Sequence, residues 1–220
     1  MKPAHPDCDA LARTGSRVRE RLKENPALAR LAVEGAEIYS APDFLSDAHC
    51  RHLIGLIDEV ACPSRLVEEQ DWEGYRTSFS GDVDPRDGIV RALDQRLTAL
   101  TGIAAGHGES VQGQRYKQGE YYHEHWDWFD TQAPYWRREN RNGGQRSWTA
   151  MIYLNGVEEG GTTDFVHLDL NVVPAAGSLL IWNNALPDGS PNPLTMHAAR
   201  PVLRGVKYVA TKWFRARPWK

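Results

Sequence analysis

After residue 110 the sequence breaks into short apolar and β-branched runs closed by turn residues, and this rhythm limits the fold more than any other feature. "SWTAMIYLN", "DFVHLDLNVV", "GSLLIW" and "VKYVATKWF" are separated by "NG", "EEGG", "PAAG" and "LPDG". Several short strands joined by turns indicate a sandwich or barrel. The earlier part of the chain has a different grammar. Residues 1–35 read as a helical lead segment, with Asn25-Pro26 as cap and first helical position and Gly35 as stop. In "APDFLSDAHCRHLIGLIDEV" Ser46 caps a helix whose Leu53, Ile54, Ile57 and Val60 share a face. In "DPRDGIVRALDQRLTALTG" Asp84-Pro85 opens a helix with a stripe of Ile89, Val90, Leu93, Leu97 and Leu100, and Gly102 follows it. Both stripes read as core. The expected organisation is a lead segment over 1–35 and one domain over 36–220, mainly β with flanking N-terminal helices, with its chemistry in the β part.

Composition narrows the function. The chain has 220 residues, 41% of them hydrophobic and 25% charged, enough for a core without staples. A formal net charge of −3 gives no reason to expect nucleic acid or an anionic membrane as partner. Cys8, Cys50 and Cys62 show no C-x-x-C spacing, which argues against a disulfide framework or a cysteine zinc site and fits a reducing compartment. The first 35 residues are polar and charged, without the apolar run of a signal peptide or a membrane span. The expected location is cytoplasmic.

"YYHEHWDWF", residues 121–129, places His123, His125 and Asp127 at alternate positions, so that on a strand they share one face. With eight histidines and 15 aspartates in the chain, about half of one H-x-D pair is expected by chance. Two are present, His125-Trp126-Asp127 and His167-Leu168-Asp169. Two histidines and a carboxylate on one face of a ferrous ion leave positions open for a chelating cosubstrate and oxygen. His197 is the one histidine after Asp169 and is therefore the third ligand in either version. Between Asp169 and His197 about 28 residues remain, tight for the strands that separate the two ligand strands of a jelly roll. From Asp127 there are about 70, which is comfortable. The spacing selects His125, Asp127 and His197. His123 lies about 13 Å along an extended strand from Asp127, too far for both to hold one ion, and reads as a pocket-lining residue. His167 and Asp169 read as exposed strand residues. His5, His49, His52 and His107 read as surface or packing residues.

These residues resemble a known family. "RYKQGEYYHEHWDWF" is similar to the R-Y-x-x-G-x-x-Y-x-x-H-x-D-x-F segment of the prolyl 4-hydroxylase-like iron(II)/2-oxoglutarate-dependent dioxygenases. "GGQRSWTAMIYLNGVEEGGTTDF", "PAAGSLLIWNN" and "HAARPVLRGVKYVATKWF" follow in the family's order, "RTSFS" precedes the long helix, and the resemblance runs from about Ile38 to Trp213. It implies a double-stranded β-helix (jelly roll) with iron on His125, Asp127 and His197. It further implies that Lys207 receives the distal carboxylate of 2-oxoglutarate, that Tyr116 hydrogen-bonds the same group with help from Thr149, and that Trp213 lines the pocket. A lysine suits that place because a carboxylate buried beside iron needs a compact cation with several donors. The implied cosubstrates are 2-oxoglutarate and O₂, with ascorbate as a candidate reductant. The implied products are succinate, CO₂ and a hydroxylated substrate. The family's G-G-E-T is here Gly160-Gly161-Thr162-Thr163 followed by Asp164, and the disulfide cysteines of the secreted animal collagen enzymes have no counterparts. Both departures bear on collagen as substrate and leave the iron site untouched.

Two segments, Arg65 to Ser80 and "FDTQAPYWRRENRNGGQRS", read as long polar loops, the kind that act as lids or binding loops. Tyr135, Trp136 and Arg137 in the second suit the gripping of an extended peptide. The expected substrate is therefore a prolyl residue in a peptide or protein. Two rivals stand beside it: a hydroxylase of a free amino acid or other small molecule, and a non-catalytic β-barrel that binds metal or ligand. A zinc hydrolase is excluded by motif, since H-E-H-W-D is not H-E-x-x-H.

Overall fold

The first element of the computed structural model, which describes residues 6–64 and 74–220, is helix α1 (Cys8–Lys23), with Leu11, Val18 and Leu22 buried. The helix expected to begin at Asn25-Pro26 does not form. The Asn25 side chain does accept the Ala27 N–H at 3.0 Å as a cap would, but the chain closes a single turn, with the Leu28 N–H donating to the Asn25 carbonyl at 3.1 Å, and does not continue as a helix. The chain then makes a short strand β1 (Ala29–Arg30) against β2 (Ile38–Ala41). Helix α2 (Asp47–Val60) starts as expected, with the Ser46 hydroxyl accepting the His49 N–H and with Leu53 and Ile57 buried. Strands β3 (Cys62–Pro63) and β4 (Phe79–Asp82) pair with each other. Helix α3 (Gly88–Thr101) begins three residues later than Asp84-Pro85 would have it. Asp87 caps it by accepting the Ile89 and Val90 N–H groups, whereas Asp84 is held in the preceding turn by Arg86. Gly102 ends it at φ 68°, in the left-handed conformation that glycine takes without strain.

The remainder is β5 (Gln112–Tyr116), β6 (Tyr122–His125), helix α4 (Trp136–Arg141), β7 (Arg146–Tyr153), β8 (Glu159–Gly160), β9 (Thr163–Phe165), β10 (Leu170–Val172), β11 (Leu179–Asn183), β12 (His197–Ala199), β13 (Val202–Arg204) and β14 (Lys207–Arg215). An eight-stranded sheet runs β1-β2-β11-β7-β14-β5-β4-β3, a four-stranded sheet β10-β9-β12-β6, and β13 pairs with β8. "DFVHLDLNVV" is thus a hairpin, not one strand: His167 and Asp169 sit in its turn, with Asp169 at φ 48°. The segment after the H-x-D pair is not wholly a loop, because α4 interrupts it. Of the first expected loop, residues 65–73 lie outside the described residues, as does His5.

Side-chain parity on the large sheet divides the interior in two. Trp148, Ala150 and Ile152 of β7, Leu179 and Ile181 of β11, and Ala210 and Phe214 of β14 pack with Val18 and Leu22 of α1, Leu53 and Ile57 of α2, and Val90, Leu93 and Leu97 of α3. The alternate residues Met151, Tyr153, Leu180, Trp182 and Val209 face the small sheet, where they meet Phe165 and Ala199. This is the two-sheet architecture of a jelly roll with helices covering the outer face. Around Thr149 the three neighbouring strands are in register, so it has Trp182 directly beside it on β11 and Trp213 on β14.

Helix α2 sits so close to β5 that a Cβ on Gly113 would lie 2.2 Å from Ile57 Cγ1. Gly113→Ala is expected to push the helix off the sheet and cost about 1–3 kcal/mol, read as a fall in the urea midpoint. An unchanged midpoint would show that the contact yields without cost.

Candidate iron and cosubstrate site

The two histidines expected to hold metal are cross-strand partners, His125 at the end of β6 and His197 at the start of β12. Their rings lie 4.3 Å apart between centroids. Asp127 follows β6 in a bend, 5% exposed, with its Oδ2 3.9 Å from His197 Nε2. One ligand atom from each of the three residues falls within 4.8 Å of the others. The imidazole tautomers are set by backbone carbonyls. His125 Nδ1 lies 2.8 Å from the His123 oxygen and His197 Nδ1 lies 2.9 Å from the Thr195 oxygen, and a carbonyl only accepts. Each ring therefore donates through Nδ1 and leaves the Nε2 lone pair for a metal. Burial, followed by the charge of His197, pushes His125 down to about 3, with Asp127 working the other way. Burial acts to raise the Asp127 carboxyl, but the charges of His197, Arg146 and His125 outweigh it and hold the group below the usual range. Two imidazole nitrogens and one carboxylate fit a hard-to-borderline divalent ion such as iron(II).

Strand alternation alone would put His123 on the face of His125, and the structure does not. Between His197 and Ala199 of β12 there is one residue, and between their partners His125 and Tyr122 there are two. This irregularity reverses the parity of β6. Tyr122 now stacks on His125, with centroids 3.6 Å apart and an angle of 14°, and lines the cavity. His123 is turned out beside Tyr75 and Tyr121, its side chain half exposed, and does not line the cavity.

Lys207 opens β14 opposite Tyr116 of β5, and it is 1% exposed. Its Nζ donates to Thr163 Oγ1 at 3.3 Å and lies 5.4 and 5.6 Å from the ring centroids of Tyr116 and Tyr153. Burial pushes its pKa down to about 7, against the opposing pull of Asp164. The Tyr116 hydroxyl donates to Gln114 Oε1 at 2.7 Å. Thr149 does not join this group. Its hydroxyl donates to Asp127 Oδ2 at 2.8 Å, so it supports the metal end, and the threonine beside Lys207 is Thr163. The retained threonine of the "GGTT" stretch was the sequence signal for it. Trp213 lines the cavity as expected, with the Arg146 guanidinium 4.0 Å above its ring.

A network behind the site has no motif to announce it. Arg146 grips Glu109 through Nε at 2.7 Å and through a terminal nitrogen at 2.8 Å, while another nitrogen lies 3.7 Å from Asp127 Oδ1. Glu109 also pairs with Arg215, which reaches Glu139 of α4. Around the whole site runs a cavity of about 1870 Å³, lined among others by Tyr75, Arg76, Trp126, Trp128, Tyr135 and Asn184. Ligand pockets for small molecules are commonly about 300–1,000 Å³, so this one exceeds the needs of a cosubstrate alone. Trp136 and Arg137, on α4, are not among the residues lining it.

Residues 111–215 match the model of the 2OG-Fe(II) oxygenase superfamily. Over 202 residues the chain is 32% identical to a probable prolyl 4-hydroxylase of Arabidopsis thaliana, covering 81% of this chain and 69% of the other. Over 177 residues it is 36% identical to a prolyl 4-hydroxylase alpha-3 subunit of Bos taurus, covering 78% of this chain and 32% of the other. Among solved structures, the viral collagen prolyl hydroxylase of Paramecium Bursaria Chlorella virus-1, in complex with 2OG, superposes with a TM-score of 0.64 at 27% identity. That match covers 81% of this chain and 95% of the viral one.

Thr149→Val removes the hydroxyl that orients Asp127 while keeping size. It is expected to weaken divalent-metal affinity about 10- to 100-fold, measured by titration with Co(II) or Mn(II). His167→Ala, exposed in the hairpin turn and outside the ligand set, is expected to leave that affinity unchanged. Equal effects of the two replacements would refute the assignment of Asp127.

Proposed function

This chain belongs to the prolyl 4-hydroxylases of the 2OG-Fe(II) oxygenase superfamily, and on that premise we propose that it hydroxylates a prolyl residue within a peptide or protein. The reaction consumes 2-oxoglutarate and O₂ and releases succinate and CO₂. The observation that carries this reading is the pairing, within one cavity, of a His-Asp-His ligand set with a buried lysine. His125, Asp127 and His197 would hold iron(II), which when bound would supply the oxidative chemistry that couples O₂ to decarboxylation of the cosubstrate. The protein supplies placement. Lys207 receives the distal carboxylate, Thr163 and Tyr116 flank it, and Met151, Val209 and Trp182 give the pocket apolar walls that exclude water. The size of the cavity and the aromatic residues among those that line it, Tyr75, Trp126, Trp128 and Tyr135, favour a peptide over a free amino acid. Cys50 and Cys62 are free thiols, which supports a reducing, cytoplasmic location. Among the described residues no helix is long and apolar enough to cross a membrane. A panel of prolyl peptides and free amino acids, followed by mass spectrometry for a 16 Da gain, tests the substrate. Hydroxylation of free proline with no reaction on any peptide would sink the peptide reading.

The lysine yields two further expectations. Lys207→Ala removes a charge-assisted bond worth about 1.5–3 kcal/mol, so the 2-oxoglutarate KM should rise roughly 10- to 150-fold. The second is a pH dependence. With burial holding Lys207 near 7, a carboxylate beside Nζ must draw a proton onto it at higher pH. Affinity for 2-oxoglutarate is then full below about 7 and falls by up to about tenfold per pH unit above it. Lys207→Arg, charged throughout, should flatten the profile even where its fork fits poorly. A wild-type profile that is flat from pH 6 to 9 would contradict this account.

A further inference from the structure

Strand β5 sets three polar side chains in a row, Gln112, Gln114 and Tyr116, and all three line the cavity. Gln114, the middle one, is 7% exposed and stands opposite Val209 of β14. A buried amide is costly unless its groups are bonded, so its partners indicate its use. Its Oε1 accepts the Tyr116 hydroxyl at 2.7 Å. Arg76 and Ser78 also stand beside that hydroxyl, and both can donate to its oxygen, so its one hydrogen belongs to Gln114. Gln114 Nε2 reaches Gln112 Oε1 and Thr211 Oγ1, both at 3.4 Å, near the limit of a hydrogen bond. The amide is thus held firmly at its oxygen and loosely at its nitrogen. The firm bond is with the tyrosine paired across the strands with Lys207.

That bond competes with the cosubstrate. A phenol has one hydrogen, so Tyr116 cannot give it both to Gln114 and to a carboxylate beside Lys207. The carboxylate is the better acceptor, because a hydrogen bond to an ionised group is about twice as strong as a neutral one. Surrendering the hydrogen would leave a buried Oε1 without its donor. An amide carries acceptor and donor on one fork, and half a turn about its last bond exchanges them. Nε2 then donates to the Tyr116 oxygen, and Oε1 comes to the side of the Thr211 hydroxyl, which has a hydrogen to give. We propose that Gln114 is a positioning residue for 2-oxoglutarate: its amide holds the Tyr116 hydrogen and, when the cosubstrate carboxylate takes that hydrogen, turns over to donate to the same oxygen. Tyr116 is bonded in either arrangement, and no buried group is left unpaired. The inference rests on the reading of Lys207 as the seat of the distal carboxylate and names the residue that directs the tyrosine beside it.

The test is a double-mutant cycle between positions 114 and 116. Dissociation constants for 2-oxoglutarate are measured by calorimetry on the full chain loaded with Mn(II). In the wild type, Tyr116→Phe is expected to weaken binding about tenfold, the scale of one hydrogen bond to a charged group. Gln114→Glu keeps the acceptor and removes the donor, so its carboxylate retains the Tyr116 hydrogen. It is expected to bind 2-oxoglutarate about tenfold less tightly or worse, and within it Tyr116→Phe should cost nothing further. Gln114→Met keeps the length and leaves the hydrogen uncommitted. Within it Tyr116→Phe should cost at least as much as in the wild type, and this arm serves where the glutamate variant does not fold. The wild-type Tyr116→Phe factor recurring in the glutamate background, or a smaller factor in the methionine background, would overturn the role of Gln114 and leave the cosubstrate reading intact. So would a wild-type affinity that Tyr116→Phe does not change. If the wild type binds no 2-oxoglutarate, the cosubstrate reading falls and this role falls with it.

Discussion

Taking a carboxylate and an ammonium out of water is the demand around which the interior of this protein is arranged. Asp127 and Lys207 are both at least nine-tenths buried on the inner side of the large sheet, and they are held by different means. Asp127 receives a hydroxyl from Thr149 and has Arg146 and His197 within 4 Å. Lys207 has one hydroxyl and the faces of two tyrosines. The carboxylate is thus compensated by the chain itself, and the lysine is compensated only in part, which is why its pKa drops. A site that withholds a counter-charge from a buried cation is prepared for an anionic ligand, because the ligand then recovers what folding left uncompensated.

Strand register is what lets the fold meet this demand. Thr149 can reach Asp127 because β7 is central in its sheet, flanked by β11 and β14, and because the alternate residues of β7 are committed to the helix-covered core. Trp182 and Trp213 stand on either side of Thr149 in the same register, so apolar walls and the oriented hydroxyl come from one row of the sheet. The outer row, Trp148 with its neighbours, fixes the inner row by packing against three helices. A one-residue slip of β7 would exchange the two rows. Packing on the far side of the sheet is therefore a condition for chemistry on the near side.

Much of this could be read from the sequence, and the misses share a cause. The ligand pair His125 and Asp127 followed from the room needed before His197, and chain length is visible in a sequence. Lys207 and Trp213 followed from a resemblance. The parity of β6 did not, because the irregularity opposite His197 and Ala199 is a property of the pairing of two strands, and neither strand shows it alone. Thr149, expected beside the cosubstrate carboxylate, meets Asp127 instead for the same reason: which hydroxyl meets the carboxylate and which meets the lysine is decided by cross-strand neighbours. Asn25-Pro26 is a fair helix start by local rules, and its capping bond to Ala27 forms, but the chain then pairs Ala29 and Arg30 with β2, a long-range contact that the local pattern does not show. The ion network of Glu109, Arg146, Arg215 and Glu139 joins three distant stretches of chain without any motif.

That network explains why the segment after the H-x-D pair carries a helix where a polar loop was expected. Glu139 is buried against Arg215, and a buried charge that loses its partner is strongly destabilising, so α4 is fixed where it meets β14. Tyr135, one residue before α4, reaches the cavity, and its hydroxyl accepts the Asp130 N–H at 3.0 Å. The polar residues of "YWRRENR" thus act as an anchor on one side while the aromatic residue that precedes them meets the cavity on the other. Because the same Glu109 holds Arg146 beside Asp127, the anchor of this segment and the surroundings of the metal-binding carboxylate share one set of charges. A change that frees α4 therefore reaches the metal site through Arg215 and Glu109 without any contact between α4 and the ligands themselves.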